Sequence, residues 1–264
     1  MIKKYMKLIR RFVIISWQEI YIFKFELFMV LLHLLFNTSF VFLFWYSLLS
    51  NIEGLGGWEF SQLAMFSAVT LFGESLGGLF FGFRDLPSKI IMGELDKYLS
   101  RPINTLFAVL FESVSIVYFI QQFLVSLILI IIVAINAKMI IKVNNIIMSL
   151  IVMFMGVLIY NFIYGIITFM AFWFGRIEVF RGLILGLTES KQYPLDIFPS
   201  KMRMILTYVV PIAFVSYYPT VILLDKMSIS LMFFLKLLAF CFITFILFIT
   251  IWHLGIKRYE SNGG

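Results

Sequence analysis

Cysteine, histidine and charge are all scarce in this sequence, and each shortage closes off a class of function. A lone Cys241 excludes an internal disulfide and a cysteine metal site, and His33 and His253, near opposite chain ends, form no metal motif. Charged residues make up 13% of the 264 positions, against 62% hydrophobic residues that include 32 Phe. With a mean hydropathy of +1.03, there is too little polar surface to cover a soluble globule. The phosphate-binding pattern GxxxxGK[ST] is missing, and so are GxSxG, HExxH and CxxC. No catalytic residue, metal ligand or cofactor site of its own is therefore expected of this chain.

Long apolar runs are present instead. Leu27–Leu49, Ala64–Phe83, Leu106–Ile135, Ile146–Phe174 and Leu231–Trp252 each reach the roughly 18–20 residues that span a bilayer. Met204–Leu224 is also long enough but holds Pro211 and Pro219. The expected fold is an all-α polytopic membrane protein of six transmembrane helices, a single domain over 1–264. The net charge of +7 fits the bias of Lys and Arg toward cytoplasmic loops and is not read as a nucleic-acid signature.

Residues 1–25 read as an amphipathic interfacial helix: Lys3, Lys4, Lys7, Arg10 and Arg11 face headgroups, with Ile2, Tyr5, Met6, Ile9, Phe12 and Val13 opposite. A signal peptide fits less well, because Trp17, Gln18 and Glu19 interrupt the apolar core. The loop after the first span has glutamates but no Lys or Arg, which suits the outer side, and Trp45, Tyr46 and Trp58 fall where an aromatic belt is expected. Lys257 and Arg258 place the C-terminal tail inside, so both termini are expected in the cytoplasm.

Polar residues inside apolar runs are the candidates for packing or for a substrate path. Gly73 with Gly77, and Gly78 with Gly82, give small-xxx-small spacings that let another helix approach. Glu74 is an intramembrane carboxylate and is therefore expected to be paired or protonated. Glu74, Gln121, Gln122 and Asn161 can line a substrate path or simply hydrogen-bond a neighbouring helix. An ion-coupled carrier would use Glu74. A membrane scaffold or sensor would need none of them.

Two regions stand apart. Residues 84–104 carry the polar island GELDKYLSRPIN, from Gly93 to Asn104, with Pro87 and Pro102 as bounds. A helix from Pro87–Ser88 to Ser100 is expected there, its apolar face formed by Ile91, Leu95, Tyr98 and Leu99. Between Gly175 and Met227 two topologies stay open. In one, Met204–Leu224 is a straight fifth span. In the other, Ile177–Ser190 is a short fifth span and residues 193–226, broken at Pro194, Pro199, Pro211 and Pro219, form a hairpin.

The island resembles the G-E-L-D-x-x-L-x-R-P inner-loop motif of a subfamily of ABC-2-type transporter permeases. YPLDIFPSKMRMILTYVVPIAFVSYYP resembles that subfamily's proline-rich signature, and Gly57–Trp58 and GIKRYESNGG fit as well. Ser100–Arg101 departs slightly, since a second aliphatic residue often precedes that arginine. The resemblance implies a permease subunit of an exporter in the plasma membrane, paired with a second copy of itself or a related permease. It implies ATPase subunits that hold ATP and Mg2+, and cargo that is amphipathic (a drug, a peptide or a lipid). It further implies that Gly93, Glu94, Leu95, Asp96, Lys97, Tyr98, Arg101 and Pro102 couple to the ATPase, and that the four prolines belong to an extracellular re-entrant gate.

Overall fold

The computed structural model describes residues 10, 11, 14, 17, 18, 24–50, 55–77, 82–112 and 116–260. The interfacial helix expected over 1–25 falls mostly outside these residues, as does Gly78. The described chain is helical. α1 (Lys24–Leu49) leads to α2 (Phe60–Gly77), then to the short α3 (Gly82–Ile91), α4 (Asp96–Leu99) and α5 (Thr105–Glu112). The long helices α6 (Ile116–Asn136) and α7 (Val143–Phe169) follow, with α8 (Ala171–Phe174) extending α7, and then α9 (Glu178–Thr188). A broken stretch contains α10 (Ser200–Met204) and α11 (Tyr217–Leu223), and α12 (Leu231–Arg258) closes the chain.

Among the described residues, four segments are long and apolar enough to cross a membrane: α1, α6, Val143–Phe174 and α12. A fifth counts if the bent pair Ser200–Val209 and Ile212–Leu223 is taken together. The expected six are thus not all found among the described residues on length and composition; Gln62, Glu74 and the serines of α2 dilute its apolar character.

A hydroxyl withdrawn from water needs a partner, and a helix offers its own carbonyls. Thr70, Thr168, Thr188, Thr207, Ser216, Thr220 and Thr244 each donate to the carbonyl four residues back. α2 packs against α6, while α11 and α12 both pack against α7.

Between Ser200 and Leu223 the chain turns through 78°, so Met204–Leu224 is not a straight rod. Pro211 has no N–H to continue a helix and clashes with the preceding turn. The chain ahead of it widens, Val210 N donating to Ile205 O at 2.9 Å, and then makes a tight turn at Ile212–Phe214. Pro219 sits in the first turn of α11, where a missing N–H leaves no helical carbonyl unpaired. Pro194 and Pro199 each precede a short helical turn.

The elbow is held by glycines on two helices. A Cβ on Gly73 of α2 would stand 2.7 Å from both Val215 Cγ1 and Val215 O, and one on Gly156 of α7 would strike Phe214 O. Ser149 of α7 donates to Pro219 O at 2.8 Å, which ties the first turn of α11, just past the elbow, to α7. Gly77, by contrast, has open space beside it. The Gly73/Gly77 pair therefore splits: Gly73 meets a bent segment of backbone and Gly77 meets nothing.

Both ends of the broken stretch meet the same loop. Asp196 accepts from Trp58 Nε1 at 2.8 Å, and Lys226 donates to Gly57 O at 3.3 Å. Trp45 and Trp58, expected in an aromatic belt, are instead 1% and 2% exposed. Trp45 donates to Ser67, and Trp58 packs on Phe66 and Tyr217. Only Tyr46 of the three is exposed. An indole N–H with a partner nearby can be buried.

Gly156→Ala is expected to lower stability by roughly 1–3 kcal/mol through overpacking against backbone, whereas Gly77→Ala stays within about 0.5 kcal/mol. Thermal unfolding of the detergent-solubilised variants measures the difference.

Candidate functional site

Glu74 lies on α2 where two cavities meet. Its carboxylate accepts from Gln122 Nε2 of α6 at 3.0 Å and pairs with Lys191 Nζ at 3.3 Å. The side chains of Lys191 and Glu74 are 17% and 27% exposed, so water screens the pair only in part. Lys191 reaches Glu74 from the helical turn Glu189–Gln192, just past α9. It stands alone as a cation in that stretch, but nothing in sequence tied it to a carboxylate far up the chain.

The smaller cavity, about 270 Å³, opens among α1, α2 and α6 and is lined by His33, Asn37, Thr38, Thr70, Gln121 and Glu189 among others. The larger, about 390 Å³, lies between α2, α7, α9 and the elbow. Val157, Leu185, Ile212 and Val215 supply its apolar wall; Arg84, Arg181, Tyr160 and Tyr164 supply polar groups. Glu74, Tyr118 and Lys191 line both. Tyr160 and Tyr164 stack with centroids 6.2 Å apart and planes 11° apart. The Tyr160 hydroxyl meets Thr188 Oγ1 at 3.2 Å, and the Tyr164 hydroxyl accepts from Arg181 Nε at 3.3 Å.

The other candidates divide between the two roles. Gln122 is buried and holds Glu74, leaving its Oε1 without a partner. Gln121 donates to Leu27 O of α1 at 3.2 Å, and its Oε1 is likewise unpartnered. Asn161 lines the larger cavity but donates to Val157 O of its own helix at 2.7 Å. Sequence reasoning missed Arg84, Arg181 and Lys191 as cavity residues, because they come from different helices and look like ordinary loop cations.

The polar island is built differently from the single helix expected. α3 already begins at Gly82, carries Pro87 inside it and stops at Ile91. Gly93 takes φ +75°, Glu94 N donates to Lys89 O and Gly93 N to Ile90 O, the pairing of a left-handed helix stop. A residue without a Cβ adopts that turn at no steric cost. The break rotates the apolar face. Leu95 and Tyr98 are 0% and 1% exposed, whereas Ile91 and Leu99 point outward at 36% and 42%.

Leu95 and Tyr98 plug into a cluster with Phe83, Leu86, Leu106, Val109, Phe169, Phe172 and Trp252, which joins α3, α5, α7, α8 and α12. Burying such side chains stabilises by about 2 kcal/mol each. Lys89 Nζ donates to the Tyr98 hydroxyl at 3.1 Å, and Lys97 Nζ lies 4.7 Å from the ring centre. Tyr259, just past α12, packs against the same cluster. Burial, with Asp96 close by, pushes its phenol pKa up. Met92, Glu94, Lys97, Leu99, Arg101 and Pro102 stay exposed.

At the other end of α7, Asp225 takes hydrogen bonds from Lys142 and Asn145, which hold its carboxyl below the usual range. Lys226 lies 4.1 Å from the Trp58 ring centre, and loss of hydration lowers its pKa although Asp196 opposes this. Among the described residues no cluster of three His, Cys, Asp or Glu could hold a metal ion.

Glu74→Gln and Lys191→Met are each expected to destabilise the chain, and the double variant less than their sum. A coupling energy of roughly 1–2 kcal/mol in a double-mutant cycle of thermal unfolding is the outcome to look for.

A family model described as ABC-2 family transporter protein matches residues 35–263. No curated protein and no solved structure matches the chain. That match takes in both cavities, the island and the elbow. The chain belongs to the ABC-2 transporter family, as a multi-pass membrane protein.

Proposed function

We propose that this chain is the membrane-spanning permease subunit of an ATP-driven exporter, paired with a second permease and moved by separate ATPase subunits. The observation that carries the reading is the seat of the island in a chain of this family. Leu95 and Tyr98 anchor it in a cluster that touches five helices, and Met92, Glu94, Lys97, Leu99 and Arg101 face outward. A short, rigidly seated surface with apolar knobs and mixed charge is what a motor protein can grip. A push on it reaches α3, α5, α7, α8 and α12 together. Gly93 and Pro102 bound this surface, and Asp96 links it to Tyr259. ABC-2 permeases are generally non-catalytic, and ATP with Mg2+ is assigned to the partner.

In this reading six segments cross the membrane, α2 and the α9 segment being the short ones, with both termini and the island in the cytoplasm of a plasma-membrane protein. Residues 193–226 then form a re-entrant hairpin from the outer side, since its two ends meet one loop at Trp58 and Gly57. Its prolines shape the elbow that closes the path from the cavities, and the cargo is amphipathic. The pairing of Glu74 with Lys191 supports a structural or path-lining role over use as an ion-coupling carboxylate.

Two measurements test this. Arg101→Glu combined with Glu94→Lys is expected to cut copurification of the ATPase at least about tenfold while the permease still reaches the membrane; full copurification would refute the docking surface. In a Cys241→Ser background, Ser200→Cys and Lys226→Cys are expected to react with an impermeant maleimide from outside intact cells, and Glu94→Cys only after permeabilisation. Labelling of Ser200→Cys from the inside alone would refute the hairpin.

A further inference from the structure

We propose that the larger cavity binds an amphiphile by an anionic headgroup, a phosphate or carboxylate carried on an apolar chain. This deepens the transport reading, on which it rests only for what becomes of the ligand. Three cations, Arg84, Arg181 and Lys191, line the cavity against one carboxylate, Glu74. Lys191 is already paired with that carboxylate. Among the described residues neither Arg84 nor Arg181 has a carboxylate partner, and Arg181 directs one of its donors to the Tyr164 hydroxyl. A guanidinium presents five N–H donors in a fork that suits phosphate and carboxylate.

The rest of the lining explains the tail. Val157, Leu185, Ile212 and Val215 offer hydrocarbon beside the charges, and the stacked Tyr160 and Tyr164 form a flat wall with hydroxyls at its rim. Near such apolar surfaces a charge pair is stronger than in water. A cavity of about 390 Å³ lies within the range of small-molecule sites. A cationic amphiphile meets two guanidiniums that have no carboxylate partner among the described residues, so the lining favours an anion. The smaller cavity has no such excess, its Glu74 and Glu189 facing Lys191 and His33.

The test uses the full chain in phosphatidylcholine nanodiscs with no ATPase present, titrated with octyl phosphate, octyltrimethylammonium, octyl glucoside and inorganic phosphate, and read as a shift in unfolding temperature. Octyl phosphate is expected to raise the unfolding temperature saturably, with its apparent Kd about tenfold weaker in Arg84→Gln and in Arg181→Gln. Arg84→Lys and Arg181→Lys keep the charge but lose the fork, and are expected to fall between wild type and the Gln variants, about threefold weaker than wild type. If a Gln variant does not fold, the Lys variants and the headgroup comparison on wild type decide. Equal protection by octyltrimethylammonium or octyl glucoside overturns the proposal, as does unchanged affinity in folded Gln variants. Equal protection by inorganic phosphate overturns the amphiphile and leaves a bare-anion site. Because no ATPase is present, a negative result here with normal ATPase copurification refutes the ligand class and not the permease.

Discussion

Backbone that leaves regular helix in an apolar surrounding has to find other partners for its N–H and C=O groups, and this structure is arranged around one place where that happens. Between Ile205 and Ser216 the chain widens, breaks at Pro211 and turns. The irregular segment survives because protein closes on it from both sides. Gly73 and Gly156 let its carbonyls approach two helices, and Ser149 ties the helix that follows it to α7 through Pro219 O. Remove that enclosure and bare polar backbone would face hydrocarbon. The larger cavity takes part of its wall from the elbow, at Ile212 and Val215.

Much of this was legible in the sequence. Apolar run length located α1 and α7 to within a few residues, because bilayer thickness sets that length directly, while the run Leu106–Ile135 takes in both α5 and α6. Pro211 and Pro219 argued against a straight Met204–Leu224, although the straight span also stayed open. Glu74 announced a partner, since a lone carboxylate in such a run cannot remain bare. The identity of the partner did not follow. Lys191 lies on a turn whose position depends on how α9 packs, and tertiary packing has no periodicity to read. That Trp45 and Trp58 are buried did not follow either, since it depends on hydrogen bonds to Ser67 and Asp196.

The island shows how one backbone dihedral can redirect a face. Counted as a continuous helix, Ile91, Leu95, Tyr98 and Leu99 share a stripe. Gly93 in the left-handed region cuts the stripe in two, so that Leu95 and Tyr98 are buried as anchors while Ile91, on the far side of the break, is left exposed. The motif's glycine thus bears on which of its residues hold the loop. Tyr259 packs against the same cluster, which ties the end of the last helix to the loop.

Trp58 sits where the two ends of the broken segment converge. Its indole nitrogen is bonded to Asp196 at 2.8 Å, and the Lys226 ammonium lies 4.1 Å from its ring centre. An excited indole shifts its charge across the ring, so its emission energy and lifetime depend on such neighbours. Parting Asp196 and Lys226 from Trp58 would remove an anion and a cation from the same chromophore in a single step. Trp58 is therefore a built-in optical reporter of that contact, readable once the other four tryptophans are replaced.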